Sequence, residues 1–334
     1  MKNINLIDLF DALVPPEKSD DDRLYSASVI PDYSRYHLAK DSVNAPALLI
    51  ELEEQIFHSL QPSLHLQHLY VMRNADCHIT QPNGSHKTGR FTVIRCVNAD
   101  RILKAYFIRI IVTILPILGP TPSNEAIKKA INHLTELFRA ITSPALKTVQ
   151  GLWAELIVIV GAREPHVLIN FWHNNPSDLY DFCSATQLIE VKSTGGQTRR
   201  HHFTLNQLHP PEGTQLIIAS MLVDRTSEGE SISDLIEALR LKHTVSPDHL
   251  TRVDRTVALS LGDTWRQASV ERFDRLLAEQ SLAFFYHTNI PSLSRDLPEG
   301  ISDVHFTSDL TGTTPVLPQK MLSAGGLLAA VVRY

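Results

Sequence analysis

The chain has 334 residues, with 31 Lys and Arg against 36 Asp and Glu and a formal net charge of −5. That length can bury a full core and accommodates two or three domains or subdomains, whereas the slightly acidic balance excludes a globally basic nucleic-acid binder, so any such contact must come from a local patch or a partner subunit. The three cysteines, Cys77, Cys96 and Cys183, lie far apart without a CxxC pair, which argues against a zinc ribbon or a disulfide framework and fits a reducing cytoplasm.

An amphipathic run, Ile4 to Leu13, predicts a short helix ending at Pro15-Pro16, with no signal peptide. The charged tract Glu17 to Arg23, including Asp20 to Asp22, reads as a solvated loop rather than a metal cluster. From Pro46 to Val97 the pattern favours strands: Leu48, Ile50 and Leu52 alternate with Leu49, Glu51 and Glu53, and Phe91 to Val97 is rich in β-formers. Gly84 and Gly89 bracket Ser85-His86-Lys87-Thr88, where a hairpin loop is expected. Between Ile102 and Ile141 the period becomes helical, broken at Pro120 to Asn124. Lys104, Arg109 and Pro116 within the apolar run 102–118 favour a buried helix over a membrane span. A third helix is expected over Leu146 to Val160, followed by alternating strands and helices through Leu241. Farther on, Val270 to Leu277 reads as helix, Leu282 to Tyr286 and Val304 to Phe306 as strands, and Pro291 to Gly300 as loop. The expected division is a β-rich domain over 1–100, a helical connector over 101–144, an α/β core over 145–245 and a C-terminal α+β extension over 246–334.

The chemistry concentrates in residues 181–192. Tyr180-Phe182 and Leu188-Ile189-Val191 have strand composition, and a tight connection centred on Ala185-Thr186 pairs Asp181 with Glu190. Opposed residues hold their Cβ atoms roughly 4.5–5.5 Å apart, so both carboxylates could take one hard divalent cation, with Lys192 two residues along on the same face. Ala-Thr lacks the Asn-Gly or Gly chemistry that favours a two-residue turn; a four-residue loop about the same centre keeps the register. In the third helix Glu155 falls inside the apolar stripe of Leu152, Leu156, Ile159 and Val160, so it needs a cation, either a Lys or Arg partner or a metal. After Lys192 a flexible turn leads to Arg199-Arg200-His201-His202, a local basic cluster suited to a phosphate backbone or simply an exposed loop. Thr204 to Leu208 opens a short helix carrying Gln207, and Gln215 to Val223 reads as a buried strand. Cys77-His78 with His65 and His68 is a poor tetrahedral set because adjacent ligands are badly placed. Neither a P-loop nor a Gly-rich dinucleotide motif is present.

This order of elements resembles the PD-(D/E)XK nuclease superfamily, the restriction-endonuclease-like fold, and more closely a bacterial family known as "PD-(D/E)XK motif protein". The resemblance rests on Gln150-Gly151-Leu152-Trp153-Ala154-Glu155-Leu156, on Asp181-Phe182, on Ile189-Glu190-Val191-Lys192-Ser193-Thr194 and on Gln207-Leu208. It extends loosely over most of the chain. Tyr180 stands where the superfamily name implies proline, and Ala154 where the helix motif has glycine. The implied fold is α/β, a mixed central sheet flanked by helices with a β-rich N-terminal domain and a C-terminal α+β extension. The implied activity is divalent-metal-dependent hydrolysis of a phosphodiester in DNA, in a restriction or anti-phage defence role. Asp181 and Glu190 would ligate Mg²⁺ or Mn²⁺, with Glu155 a further ligand; Lys192 would position water and stabilise the transition state, Gln207 would orient Lys192 or touch the phosphate, and Arg199 and Arg200 would grip the backbone. DNA and other defence subunits are the expected partners, with a homodimer left open and no membrane role. The alternatives are a non-catalytic DNA- or partner-binding subunit that keeps the fold, and a nuclease acting on RNA.

Overall fold

The computed structural model describes residues 5–17, 23–51, 63–173 and 178–333. The expectations at Ile4, at Asp20 to Asp22 and at Leu52 and Glu53 lie outside the described residues. By its contacts the chain separates into two compact units, one through Ala140 and one from Ile141. The helices expected as a connector fall in the first, and the expected core and C-terminal extension share the second.

In the first unit, α1 (Leu6–Asp11) starts at Asn5, whose side chain accepts from the backbone N–H groups of Ile7 and Asp8. The strands β1 (Leu24–Ile30), β2 (Tyr33–Lys40), β3 (Pro46–Glu51), β4 (Leu64–His65), β5 (Leu69–Thr80) and β6 (His86–Cys96) run in the order β1-β2-β3-β6-β5-β4. β1 also pairs in parallel with β5, which closes five of these strands into a ring. Small inward side chains, Ala27, Ala39 and Ala47, make room around Phe91 in its core. The β5–β6 turn differs from expectation. It is Gln81–Ser85, closed by the Ser85 carbonyl accepting from Gln81 N at 2.8 Å, with Gly84 at φ 80°; His86 to Thr88 and Gly89 belong to β6. The turn needs only the one positive-φ glycine, so the second is free to enter the strand. α2 (Arg101–Leu118) and α3 (Asn124–Ala140) complete the unit. Asp100 caps α2 by accepting from Leu103 N, and α2 ends at Gly119 with φ 71°. No described helix is long and apolar enough to cross a membrane.

The second unit begins with α4 (Val149–Gly161) and α5 (Pro165–Phe171), then β7 (Phe182–Cys183), β8 (Gln187–Thr194), β9 (Arg200–Thr204), a 3₁₀ turn (Leu205–Leu208), β10 (Gln215–Leu222) and β11 (Arg225–Glu230). There follow α6 (Ile232–Arg240), α7 (Pro247–Leu261), α8 (Trp265–Ala268), α9 (Arg275–Ser281), β12 (Ala283–Tyr286), β13 (His305–Asp309), α10 (Pro318–Ala324) and α11 (Gly326–Ala330). The central sheet has the order β12-β10-β8-β7, with β8 and β10 parallel and both flanking pairings antiparallel. α4 and α11 lie against β8 and α9 against β10, so the fold is α/β, a mixed sheet flanked by helices. β10 is buried from Leu216 to Met221, as a strand covered on both faces must be.

One expected helix is broken. Residues 270–274 lie between α8 and α9, and only 275–277 are helical, because Phe273 bridges Arg225 and Glu230 of β11. Gly229 allows that approach: a Cβ there would lie 2.2 Å from the Phe273 carbonyl oxygen.

Candidate metal centre and active site

The hairpin of β7 and β8 has the register the sequence predicts. Phe182 faces Ile189 and Cys183 faces Leu188, a spacing that continues to Asp181 opposite Glu190. The turn is tight despite lacking Gly or Asn. Ser184 supplies the missing chemistry: its backbone N–H donates to Gln187 O at 2.9 Å, its hydroxyl donates to the same oxygen at 3.0 Å, and that hydroxyl accepts from Gln187 N at 2.9 Å.

Glu155 is buried in α4, as its place in the apolar stripe requires, and it has found its cation. Lys147 Nζ stands 2.6 Å from Glu155 Oε1 and 2.5 Å from Asp181 Oδ1, so one ammonium bridges two carboxylates. The second oxygen of Glu155 accepts the Trp172 indole N–H at 2.7 Å and lies 3.1 Å from His173 Nε2. Asp181 Oδ2 accepts the Val191 backbone N–H at 2.8 Å, and the Asp181 carbonyl accepts from His173 N at 2.8 Å. Burial pushes the Glu155 carboxyl up, but the Lys147 charge and the His173 contact outweigh it and hold that carboxyl below the usual range. In Asp181, burial and the neighbouring Glu155 charge win over Lys147, and the carboxyl is raised.

Glu190 forms the second half of the site. Its Oε1 accepts from Gln207 Nε2 at 2.7 Å and from Lys192 Nζ at 2.8 Å. Gln207 Oε1 in turn accepts from Lys192 Nζ at 3.1 Å and from Thr204 N at 3.1 Å, so the cap of the 3₁₀ turn holds the side chain that holds the lysine. Lys192 also stands over the Phe203 ring, 5.0 Å from its centroid. Burial, with the Asp181 charge added, pushes the Glu190 carboxyl up to about 8 against the pull of Lys192.

The expected residues thus form two groups, Glu155 and Asp181 bridged by Lys147 and Glu190, Lys192 and Gln207 bonded to one another, brought side by side by the hairpin that sets Asp181 opposite Glu190. The basic cluster is not one surface. Arg199 turns inward, where its guanidinium donates to Ser220 O at 2.7 Å and Ser220 Oγ at 2.9 Å, donates to Ser281 O, and stacks over Phe285. Three of its five N–H donors are thereby taken by protein oxygens, so the fork is committed largely to the protein and not to the grip on the DNA backbone expected of it. His201 is likewise buried and bound to Ser220 Oγ at 2.7 Å. Strand alternation leaves Arg200 and His202 exposed.

Sequence reasoning missed Lys147, Trp172 and His173. Lys147 lies just ahead of α4, which begins at Val149 and not at the expected Leu146, and Trp172 and His173 lie just past α5, so no helical period relates them to Glu155 and only the folded chain brings them to it. Among the described residues, donor atoms of Glu155, His173 and Asp181 gather within 4.8 Å of one another, whereas Glu190 lies outside that group. Two carboxylates and an imidazole whose Nδ1 is buried without a hydrogen-bond partner suit a divalent ion such as Mg²⁺ or Mn²⁺, the imidazole favouring the softer manganese. The zinc set fails: Cys77 is fully buried inside the ring of strands while His78 faces outward.

The chain matches, over residues 7–311, the family model described as "Putative PD-(D/E)XK family member (DUF4420)". No curated protein and no solved structure matches it.

Proposed function

The chain belongs to the DUF4420 family of PD-(D/E)XK members, and from that premise we propose that it is a divalent-metal-dependent endonuclease hydrolysing phosphodiester bonds in DNA. The observation that carries this reading is the convergence of Asp181 and Glu190 on neighbouring strands with Lys192 Nζ 2.8 Å from the Glu190 carboxylate. A protein that only bound DNA would gain nothing from carboxylates at a phosphate.

In this reading Asp181 and Glu190 hold the ion, with Glu155 and His173 completing or supporting the donor set. When bound, the ion supplies positive charge against the phosphate and lowers the pKa of a water nucleophile. Lys192 places its ammonium where negative charge develops on the phosphoryl oxygens. Gln207 fixes the rotamer of Lys192 and keeps Glu190 aligned, and Arg200 contacts the strand at a phosphate. Hydrolysis adds water to phosphorus, breaks one P–O ester bond and passes a proton to the departing oxygen. The net charge of −5 fits action with a more basic partner subunit, as in a restriction or anti-phage assembly.

A second reading keeps the fold without the chemistry. Lys147 neutralises Glu155 and Asp181 internally, as a non-catalytic DNA- or partner-binding subunit would tolerate. Supercoiled plasmid incubated with wild type, Glu190→Ala and Lys192→Ala in Mg²⁺, Mn²⁺ or EDTA decides between them. Nicking or linearisation by wild type that EDTA abolishes, with a loss of at least about a hundredfold in either variant, is the expected outcome. Metal-dependent cleavage that survives both substitutions refutes the assignment of Glu190 and Lys192, and no cleavage in any condition refutes an enzyme that acts alone and favours the binding subunit or a partner-dependent nuclease.

A further inference from the structure

We propose that Lys147 is a built-in counter-cation that a divalent ion must displace, so that metal loading at Glu155 and Asp181 and the Lys147 ion pairs are mutually exclusive. This inference rests on the metal-dependent reading above. The argument starts from position. Lys147 Nζ lies 2.6 Å from Glu155 Oε1 and 2.5 Å from Asp181 Oδ1, while Glu155, Asp181 and His173 offer donor atoms within 4.8 Å of one another. A Mg²⁺ ion stands roughly 2.0–2.1 Å from its oxygen ligands, so an ion bridging the same two oxygens would take the space the ammonium holds. Their like charges in a buried site would repel with little screening.

Four further features make displacement feasible. The backbone at this point is anchored independently of the side chain, since Leu146 N and Lys147 N both donate to Ser260 O, at 2.9 and 3.0 Å. Release therefore needs only rotation of a four-carbon stem. The side chain is 17% exposed, not sealed. It borders a cavity of about 700 Å³ shared with Gln150, Arg225, Thr264 and Gln267, which can receive the ammonium. Finally, Glu155 keeps the Trp172 indole and His173 when the lysine leaves, so its carboxylate stays in position. The alternative is an ion held by Asp181 Oδ2 and Glu190 alone, with Lys147 left in place.

Amine footprinting of the wild-type protein separates these. The full chain is treated briefly with an acylating reagent across a Mn²⁺ titration, acylation of each lysine is read by peptide mass spectrometry, and Mn²⁺ binding is measured on the same preparation by calorimetry. Displacement makes Lys147 acylation rise at least fivefold between EDTA and saturating Mn²⁺, half-complete at the calorimetric Kd, with Lys87 in the first unit unchanged. Mn²⁺ binding with Lys147 reactivity constant or falling overturns the displacement and leaves the nuclease reading intact. Absence of any Mn²⁺ binding overturns both.

Discussion

Glu155 accepts from Lys147 on one oxygen and from Trp172 on the other, with His173 at 3.1 Å, so its ionised form depends on its neighbours. Trp172→Phe removes the indole donor while preserving most of the ring. Loss of one hydrogen bond to a buried charge should cost about 1.5–3 kcal/mol, read as a lower urea midpoint at unchanged slope. Glu190 has the opposite balance. Its carboxyl, raised from 4.5 to about 8, keeps its proton in the folded chain where the unfolded chain has released it. Folded-state stability therefore falls as pH rises from the ordinary carboxylate value toward the raised one. In metal-free buffer Glu190→Gln should remove up to about 1.4 kcal/mol per pH unit of that slope; urea titrations across this window that give parallel profiles for both proteins contradict it.

Among the elements, the β7–β8 hairpin depends on a turn whose chemistry comes from one hydroxyl. Ser184→Ala deletes a donor and an acceptor at Gln187 and should destabilise the protein by about 1–2 kcal/mol. Because the turn holds Asp181 opposite Glu190, plasmid cleavage should fall along with the unfolding free energy. At the junction of β11 and α9 the constraint is steric. Gly229→Ala sets a methyl 2.2 Å from the Phe273 carbonyl oxygen, a backbone atom that cannot rotate away. A loss of about 2 kcal/mol or more in chemical denaturation is expected, and a wild-type midpoint would show that β11 shifts freely.

Across the whole second unit, the last turns of chain hold the first helices and the hairpin together. Arg163 N donates to Val332 O and Glu164 N to Ala330 O, Leu328 N donates to Gln187 Oε1, and Gln187 Nε2 donates to the Ala324 and Gly325 carbonyls. Leu327, Leu328 and Val331 are essentially fully buried. Each contributes about 1.5–3 kcal/mol, so together they approach the roughly 5–15 kcal/mol that stabilises a domain. Deleting residues 326–334 should therefore abolish cooperative thermal unfolding of the second unit in calorimetry, rather than lower its midpoint slightly.

Local chemistry in the chain determined a good part of this site by itself. The strand arms around residues 181–192 set the Asp181–Glu190 register, because a period of two leaves few alternatives once both arms carry β-formers. The apolar stripe around Glu155 demanded a buried cation partner, and Thr204 to Leu208 announced the turn that carries Gln207. What the chain could not reveal depended on contacts between distant segments. Lys147 meets Glu155 from just ahead of α4 and His173 from just beyond α5, both outside the helical repeat that places Glu155, so no spacing marks them. The direction of Arg199 was decided by Ser220 and Ser281, residues 21 and 82 positions away, which accept from its guanidinium inside the fold. The break before α9 likewise came from Phe273 meeting β11, a tertiary pairing that overrides the helical propensity of residues 270–277. Periodicity reports which face of an element is buried, and tertiary structure alone decides which polar groups that face meets.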